Sequence, residues 1–236
     1  MSNEIRVFIG YDKSESIAYH VLAHSIIKRS SLPVSIFPLN RTNLKDHFNR
    51  PRGEHDSTDF SNTRWIVPHL CNFEGYAIFM DCDMLCLADI AELWKQRDPK
   101  RAVVVKQHNY VTKHNVKFLG QENAPYSRKN WSSLIIFNNA LCRPLTRHIV
   151  NTHSPGLWFH QFNWLPDQDI GSIKGPWNHL VGEQPEDPNA KLIHYTLGGP
   201  WHGHTEVEWS QAWFDELDDM MHGENPVRWD EHLRRA

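Results

Sequence analysis

Apolar residues along this chain fall into short runs separated by longer stretches that carry either helical periodicity or turn residues. The first run, residues 5–9, is closed by Gly10 and predicts a buried strand. Over residues 14–29, Ile17, Val21, Leu22 and Ile26 recur on one helical face, with Ser14 as the candidate cap. Residues 33–39 predict a second strand, and the polar stretch 40–57, with Pro51 and Gly53, predicts a loop over a site. Residues 60–71 are expected to be helical, Pro68 limiting the last turn. Further strands are expected from Tyr76 to Asp81 and over 102–106, 133–137 and 192–195, with helices over 88–94, 140–151 and 210–221. The last helix should turn Trp213, Leu217 and Met220 inward. Residues 107–130 are polar and carry Lys113, His114, Lys117, Arg128 and Lys129, which suits a wall beside an anionic ligand and equally an ordinary surface loop. Strands alternating with helices, without repeats or a linker, predict one α/β domain over 1–236, with 205–236 as a C-terminal helical extension.

The run Tyr76-Ala77-Ile78-Phe79-Met80-Asp81-Cys82-Asp83 ends abruptly in two carboxylates. If it is a strand, alternation places Asp81 and Asp83 on one side, at the carboxyl end where open α/β sheets bind ligands. Such a pair repels itself unless a cation lies between, and hard divalent cations take oxygen ligands. A surface turn would use the same residues. Late in the chain, in Ile193-His194-Tyr195-Thr196-Leu197-Gly198-Gly199-Pro200-Trp201-His202, His194 sits at a strand end and is a candidate third ligand. Two carboxylates with an imidazole suit Mn²⁺ better than an all-oxygen site would, although a lone histidine is also an ordinary core residue. Gly198 and Gly199 would let backbone N–H groups approach phosphate oxygens. Between these segments, Asp167, Gln168 and Asp169 follow Pro166, where they can fix sugar hydroxyls or face an anomeric carbon, or simply cap a turn.

Composition narrows the classes. A net charge of −3 over 236 residues, with scattered basic residues, lacks the basic face that nucleic acid requires. No apolar stretch approaches the ~20 residues that span a bilayer, and the first residues lead straight into a strand, so a cytoplasmic location is expected. The four cysteines lack zinc-ribbon spacing and are expected to be reduced core thiols. The ten tryptophans suggest flat platforms for sugars as well as packing; Trp158, Phe159, His160 and Trp164 are candidates for either an acceptor platform or a satellite core.

Taken in order, these segments resemble glycosyltransferases of family 8, from Ile5 to about Trp201. Val7-Phe8-Ile9-Gly10-Tyr11-Asp12 is similar to that family's first strand, Thr63-Arg64-Trp65 to its Arg-bearing helix, and Phe79-Met80-Asp81-Cys82-Asp83-Met84 to its Asp-x-Asp strand. Trp131-Ser132-Ser133-Leu134-Ile135-Ile136-Phe137-Asn138, Asp167-Gln168-Asp169 and the His194 to Trp201 segment follow in the family's order. The Arg128-Lys129-Asn130-Trp131-Ser132-Ser133 run resembles a compact bacterial and phage-type subgroup.

The resemblance implies a GT-A (Rossmann-like) domain with a mixed, mostly parallel sheet flanked by helices. It implies a retaining, metal-dependent hexosyltransferase that uses a nucleotide-sugar, expected to be a UDP-sugar. Asp81, Asp83 and His194 would hold Mn²⁺ or Mg²⁺, Tyr11 and Asp12 would face the uridine, Arg64 the phosphates or sugar, and Asp167 the donor hydroxyls. Partners would be the donor and a glycan, lipid-linked or small-molecule acceptor. One departure stands out: the family's Lys before the Pro-Trp pair is Gly199 here. The missing charge would come from Lys129, Arg64 or His202, or the chain is a weak or inactive nucleotide- or glycan-binding relative. A nucleotidyltransferase-like enzyme shares the metal logic but lacks the late His-Tyr and Pro-Trp element. A phosphatase of the haloacid dehalogenase type wants its Asp-x-Asp near the N-terminus, and the spacing of His194, His202 and His204 offers no zinc site.

Overall fold

The apolar runs become strands where both of their faces are covered. β1 (Ile5–Gly10) is buried at every position except Arg6, the pattern of a strand inside a layered sheet. In the computed structural model, which describes residues 4–53, 56–116, 120, 123, 125–154 and 156–223, α1 (Ser16–Arg29), β2 (Val34–Leu39), α2 (Val67–Leu70) and β3 (Tyr76–Met80) follow. Next come β4 (Met84–Cys86), α3 (Ile90–Trp94), β5 (Val103–Val105), β6 (Leu134–Asn138), α4 (Arg147–Thr152) and α5 (Leu157–His160). β7 (Ile170–Ser172), β8 (His179–Leu180), β9 (Leu192–His194) and α6 (Ser210–His222) complete the order.

Six strands form the central sheet in the order β2-β1-β3-β6-β5-β7. β1 is parallel to β2 and β3, and β5 to β7, whereas β6 runs antiparallel to both its neighbours. This is the mixed, mostly parallel sheet that was expected. A second sheet, β4-β9-β8, was not; β4 and β8 are too short to leave a periodic signature. α1 spans the two cores: Leu22 and Ile26 join the main one, and Val21 joins Leu85, Ile193, Tyr195 and Trp213 beneath the second sheet.

Several boundaries differ from expectation for identifiable reasons. Residues 140–151 are not one helix, because Pro144 lacks an N–H and interrupts the ladder; α4 begins only at Arg147, where the Thr146 side chain accepts from Ile149 N at 3.2 Å. Residues 60–71 reduce to a 3₁₀ turn (Thr63–Ile66) running into α2. Ser14 does not cap α1, whose N-cap Glu15 makes no side-chain cap hydrogen bond; Asp12 caps the preceding 3₁₀ turn (Lys13–Glu15), accepting from Ser14 N at 2.9 Å.

The Trp158 to Trp164 segment belongs to the main core and is not a satellite: Phe159, Phe162 and Trp164 ring the buried Trp65 with centroids 5.5–6.2 Å away. Trp158 is only partly buried and packs on His153 at 4.0 Å. α6 buries Trp213 and is clamped to α1 through Glu216, which takes His24 Nδ1 at 2.6 Å and Arg29 Nη2 at 2.7 Å. Leu217 and Met220 pack against the same cluster as Trp213. Residues 224–236 of the expected extension, and Lys117, lie outside the described residues. All four cysteines are buried and free. Among the described residues no helix is long and apolar enough to cross a membrane.

Candidate metal and donor site

β3 leaves the central sheet at Met80 and β4 enters the second sheet at Met84, so Asp81-Cys82-Asp83 is the bend between two sheets. Strand alternation is therefore not what aligns the carboxylates, because neither Asp lies in a strand. Cys82 instead turns into the interior, fully buried and 3.7 Å from Glu15 Oε2. The second sheet delivers the third group. β9 runs antiparallel to β4 with His194 opposite Met84, and Tyr195 N donates to Asp83 O at 2.9 Å, extending that ladder. His194 Nε2 thus comes to 3.4 Å from Asp83 Oδ1. One ligand atom from each of Asp81, Asp83 and His194 lies within 4.8 Å of the others. A second group, His24, Glu216 and Asp219, is as close, but Arg29 and Lys28 already supply its positive charge.

Arg64, on the Thr63–Ile66 turn, is buried and committed to this centre. Its Nη1 meets Asp81 Oδ1 at 2.9 Å and donates to Ser132 O at 2.6 Å, its Nε donates to Ser61 O at 3.0 Å, and the guanidinium lies 4.7 Å from the centroid of Phe79. Ser132 starts a wall that continues outward. Its hydroxyl lies 2.8 Å from His160 Nδ1, and Arg128 joins Gln161 O at 2.9 Å to Asp167 Oδ1 at 2.6 Å. Asp167 and Gln168 are exposed and Asp169 is half-buried.

The protein known as Protein CDI from Arabidopsis thaliana is 42% identical to this chain over 224 residues, covering 91% of the chain and 86% of that protein. The chain belongs to the CDI family. No family model matches it. Its fold is that of the GT-A glycosyltransferases. The glycosyltransferase GlyE of Streptococcus pneumoniae TIGR4 superposes with a TM-score of 0.60 at 13% identity, over 99% of this chain and 63% of GlyE. The galactosyltransferase LgtC, solved with donor and acceptor sugar analogs, gives 0.58 at 11% identity, over 98% of this chain and 100% of LgtC. The CDI-family chain therefore spans under two thirds of GlyE's length but all of LgtC's.

Most of the remaining candidate residues of this CDI-family chain, Lys129 excepted, follow the carboxyl ends of β1 and β9. Tyr11 is half-buried and meets Tyr19 edge-on at 5.5 Å. Asp12 accepts from Ser14 N and Oγ at 2.9 and 2.7 Å and from Asp59 N at 2.8 Å, so it braces the end of β1 against the 40–59 loop. Burial pushes its carboxyl up, but those donors outweigh burial and hold it below the ordinary 3.8. A depressed folded value means the stabilisation is complete above the ordinary value and is lost as pH falls through the depressed one. Urea unfolding of wild type and Asp12→Asn across pH 2–6 is expected to show a stability difference that shrinks below about pH 4. A difference independent of pH would show that the carboxylate's charge plays no part.

Glu15, which the sequence did not flag, is buried 3.4 Å from His202 Nε2 and ties the segment after β9 to the segment after β1. Burial raises its pKa, the hydrogen bond from His202 opposes that, and the nearby Asp83 charge adds to the rise. Lys129 is buried with Nζ 4.9 Å from the centroid of Tyr126. His108, buried close to His194, is pushed down to about 3, first by burial and then by its His194 and Lys106 neighbours. It is therefore neutral near neutral pH and adds no positive charge to the site.

Gly198 takes a φ of +116°, where glycine is needed. Gly199 is glycine for another reason: its φ of −114° suits any residue, but a Cβ there would fall inside the Trp201 ring. Trp201 is itself wedged against Tyr195 and Trp213, at 5.6 and 5.4 Å between centroids. Asn178 was also missed. It lies in the 155–182 stretch, whose lack of periodicity gave no signal, yet its Oδ1 is 2.9 Å from His194 Nδ1.

Proposed function

We propose that this chain is a retaining glycosyltransferase that moves a hexose from a UDP-sugar to a glycan, lipid-linked or small-molecule acceptor, with Mn²⁺ or Mg²⁺ held by Asp81, Asp83 and His194. The observation that carries the reading is the convergence of these three side chains, within 4.8 Å, at the junction of the two sheets in a GT-A fold. The donor set fits the ion: two carboxylates and one imidazole suit a borderline divalent cation. When bound, that cation would neutralise charge on the diphosphate and on the departing nucleotide.

The protein's own residues do the rest. Tyr11 and the Asp12-braced end of β1 form the uridine side. Gly198 and Gly199 let the backbone lie close to the phosphates, although the Gly198 N–H, expected to reach them, instead donates to Tyr195 O at 2.8 Å; Lys129 and His202 are the candidate side chains beside them. Arg64 holds Asp81 in place. Asp167 accepts hydrogen bonds from donor-sugar hydroxyls. Transfer is front-face: the bond from the anomeric carbon to the phosphate oxygen breaks, the acceptor oxygen bonds to the same face, and the acceptor proton goes to the leaving phosphate. One feature favours this over a covalent intermediate: Gln168 is an amide and a poor nucleophile. A glycosylated Asp167 or Asp169 trapped by mass spectrometry would instead establish double displacement.

Gly199 motivates a second reading, a nucleotide- or glycan-binding relative without turnover, because the phosphate-facing Lys is absent and Trp201 fills its place. UDP release from a panel of UDP-sugars, with Mn²⁺ and with EDTA, separates the two. We expect Mn²⁺-dependent hydrolysis of one sugar. UDP binding without turnover of any donor would favour the binding protein.

A further inference from the structure

We propose that Asn178 is the positioning residue of the metal site: its amide oxygen fixes His194 as the Nδ1–H tautomer and keeps the Nε2 lone pair turned toward Asp83. The role in metal binding rests on the proposed function above; the tautomer rests on a chain of hydrogen bonds alone.

The chain is read from the end that can only accept. The Asn130 carbonyl has no hydrogen to give, so Ser133 Oγ, 2.7 Å away, donates to it. With its one hydrogen spent, Ser133 Oγ presents lone pairs, and the group it meets at 2.9 Å is the Nδ2 of Asn178. That turns the Asn178 amide oxygen toward His194 Nδ1, also at 2.9 Å. An amide oxygen only accepts, so Nδ1 carries the hydrogen, and a neutral imidazole then has a bare Nε2. Flipping the amide would set the Ser133 hydroxyl, with one hydrogen, before two acceptors and strand one of them in the interior.

Water does not compete for these bonds. Asn178 has no exposed surface, and Ser133, His194 and Asn130 are 2%, 2% and 8% exposed. Asn178 also sits at φ +60°, a left-handed position that asparagine tolerates better than most residues. The bare Nε2 faces Asp83 Oδ1 across 3.4 Å. Two acceptors confronting each other at that distance form a gap suited to a cation. Groups that hold the far nitrogen of a ligating histidine typically account for about 10–100-fold in metal affinity.

The test uses two substitutions that keep the backbone. Asn178→Gly accepts φ +60° without strain and removes the amide; Asn178→Asp keeps an acceptor toward Nδ1. Ring-nitrogen NMR of histidine-labelled, metal-free protein at about pH 8, where imidazole is neutral, reads the tautomer, with the His194 signals assigned by their loss in His194→Gln. Mn²⁺ affinity is read separately by electron paramagnetic resonance. Wild type is expected to show Nδ1–H. Asn178→Gly should lose that preference and bind Mn²⁺ about 10–100-fold more weakly, and Asn178→Asp, which keeps an acceptor toward Nδ1 but sets a second acceptor before Ser133 Oγ, should retain the Nδ1–H form.

An Nε2–H wild type, or an unchanged tautomer in Asn178→Gly, overturns the proposal. Should Asn178→Gly fail to fold, Ser133→Ala removes the hydroxyl that orients the amide, along with its bond to the Asn130 carbonyl; a mixed His194 tautomer there supports the proposal and an unchanged one overturns it. If the tautomers behave as expected but wild type binds no Mn²⁺, the metal reading fails and the positioning role of Asn178 stands.

Discussion

Asp83→Asn is expected to lower turnover of a UDP-sugar by about a thousandfold while costing the fold little. The substitution keeps the shape of the side chain and leaves the backbone bond from Tyr195 N to Asp83 O in place. What it removes is one anionic ligand from a group of three. Charge stabilisation at a leaving diphosphate is worth several kcal/mol, and about 4 kcal/mol corresponds to that factor in rate. The measurement is steady-state UDP release alongside Mn²⁺ titration of the same protein, with thermal unfolding as the control for folding. Full turnover in Asp83→Asn would remove this carboxylate from the mechanism. Equal loss of turnover and of stability would give Asp83 a structural role only.

Arg64→Leu is expected to cost about 3–5 kcal/mol of stability, the range for breaking one side of a buried ion pair. The guanidinium serves Asp81 Oδ1, Ser132 O and Ser61 O at once, between 2.6 and 3.0 Å, and its flat face covers Phe79. A leucine fills part of the volume but leaves those acceptors without their donor, and each buried orphan costs about 1–3 kcal/mol. The same guanidinium pairs with Asp81, a candidate metal ligand. In Arg64→Leu, Mn²⁺ should therefore restore part of the loss, giving a larger stability increment than it gives wild type at equal concentration. Urea unfolding with and without Mn²⁺ reads this directly. Equal increments in the two proteins would show that Arg64 and the cation do not share Asp81.

The three groups that the structure brings together were conspicuous in the sequence because they border apolar runs. Asp81, Asp83 and His194 each adjoin a short strand, and a polar residue placed there is conspicuous. What brings them together was not legible. The second sheet depends on β4 and β8, which span Met84–Cys86 and His179–Leu180, too short for period to register. The residues that contact this cluster were hidden for a different reason. Glu15 and Asn178 lie in a 3₁₀ turn and an irregular stretch, and their meaning comes from partners 187 and 16 positions away. Helix 140–151 failed because apolar spacing alone does not weigh Pro144. Arg64 was expected to face the phosphates or sugar; it is instead buried beside Ser132 and Phe79 and turned onto Asp81, an orientation that only the tertiary structure supplies.

The indole of Trp201 occupies the space into which any side chain at position 199 would grow, and Tyr195 and Trp213 hold that indole in place. Mutation therefore reaches a lysine at 199 only after the aromatic stack behind it has been dismantled, so the first step of that route carries a penalty and no benefit. The two sites are bound into one evolutionary unit. A positive charge opposite this turn therefore has to come from another part of the chain.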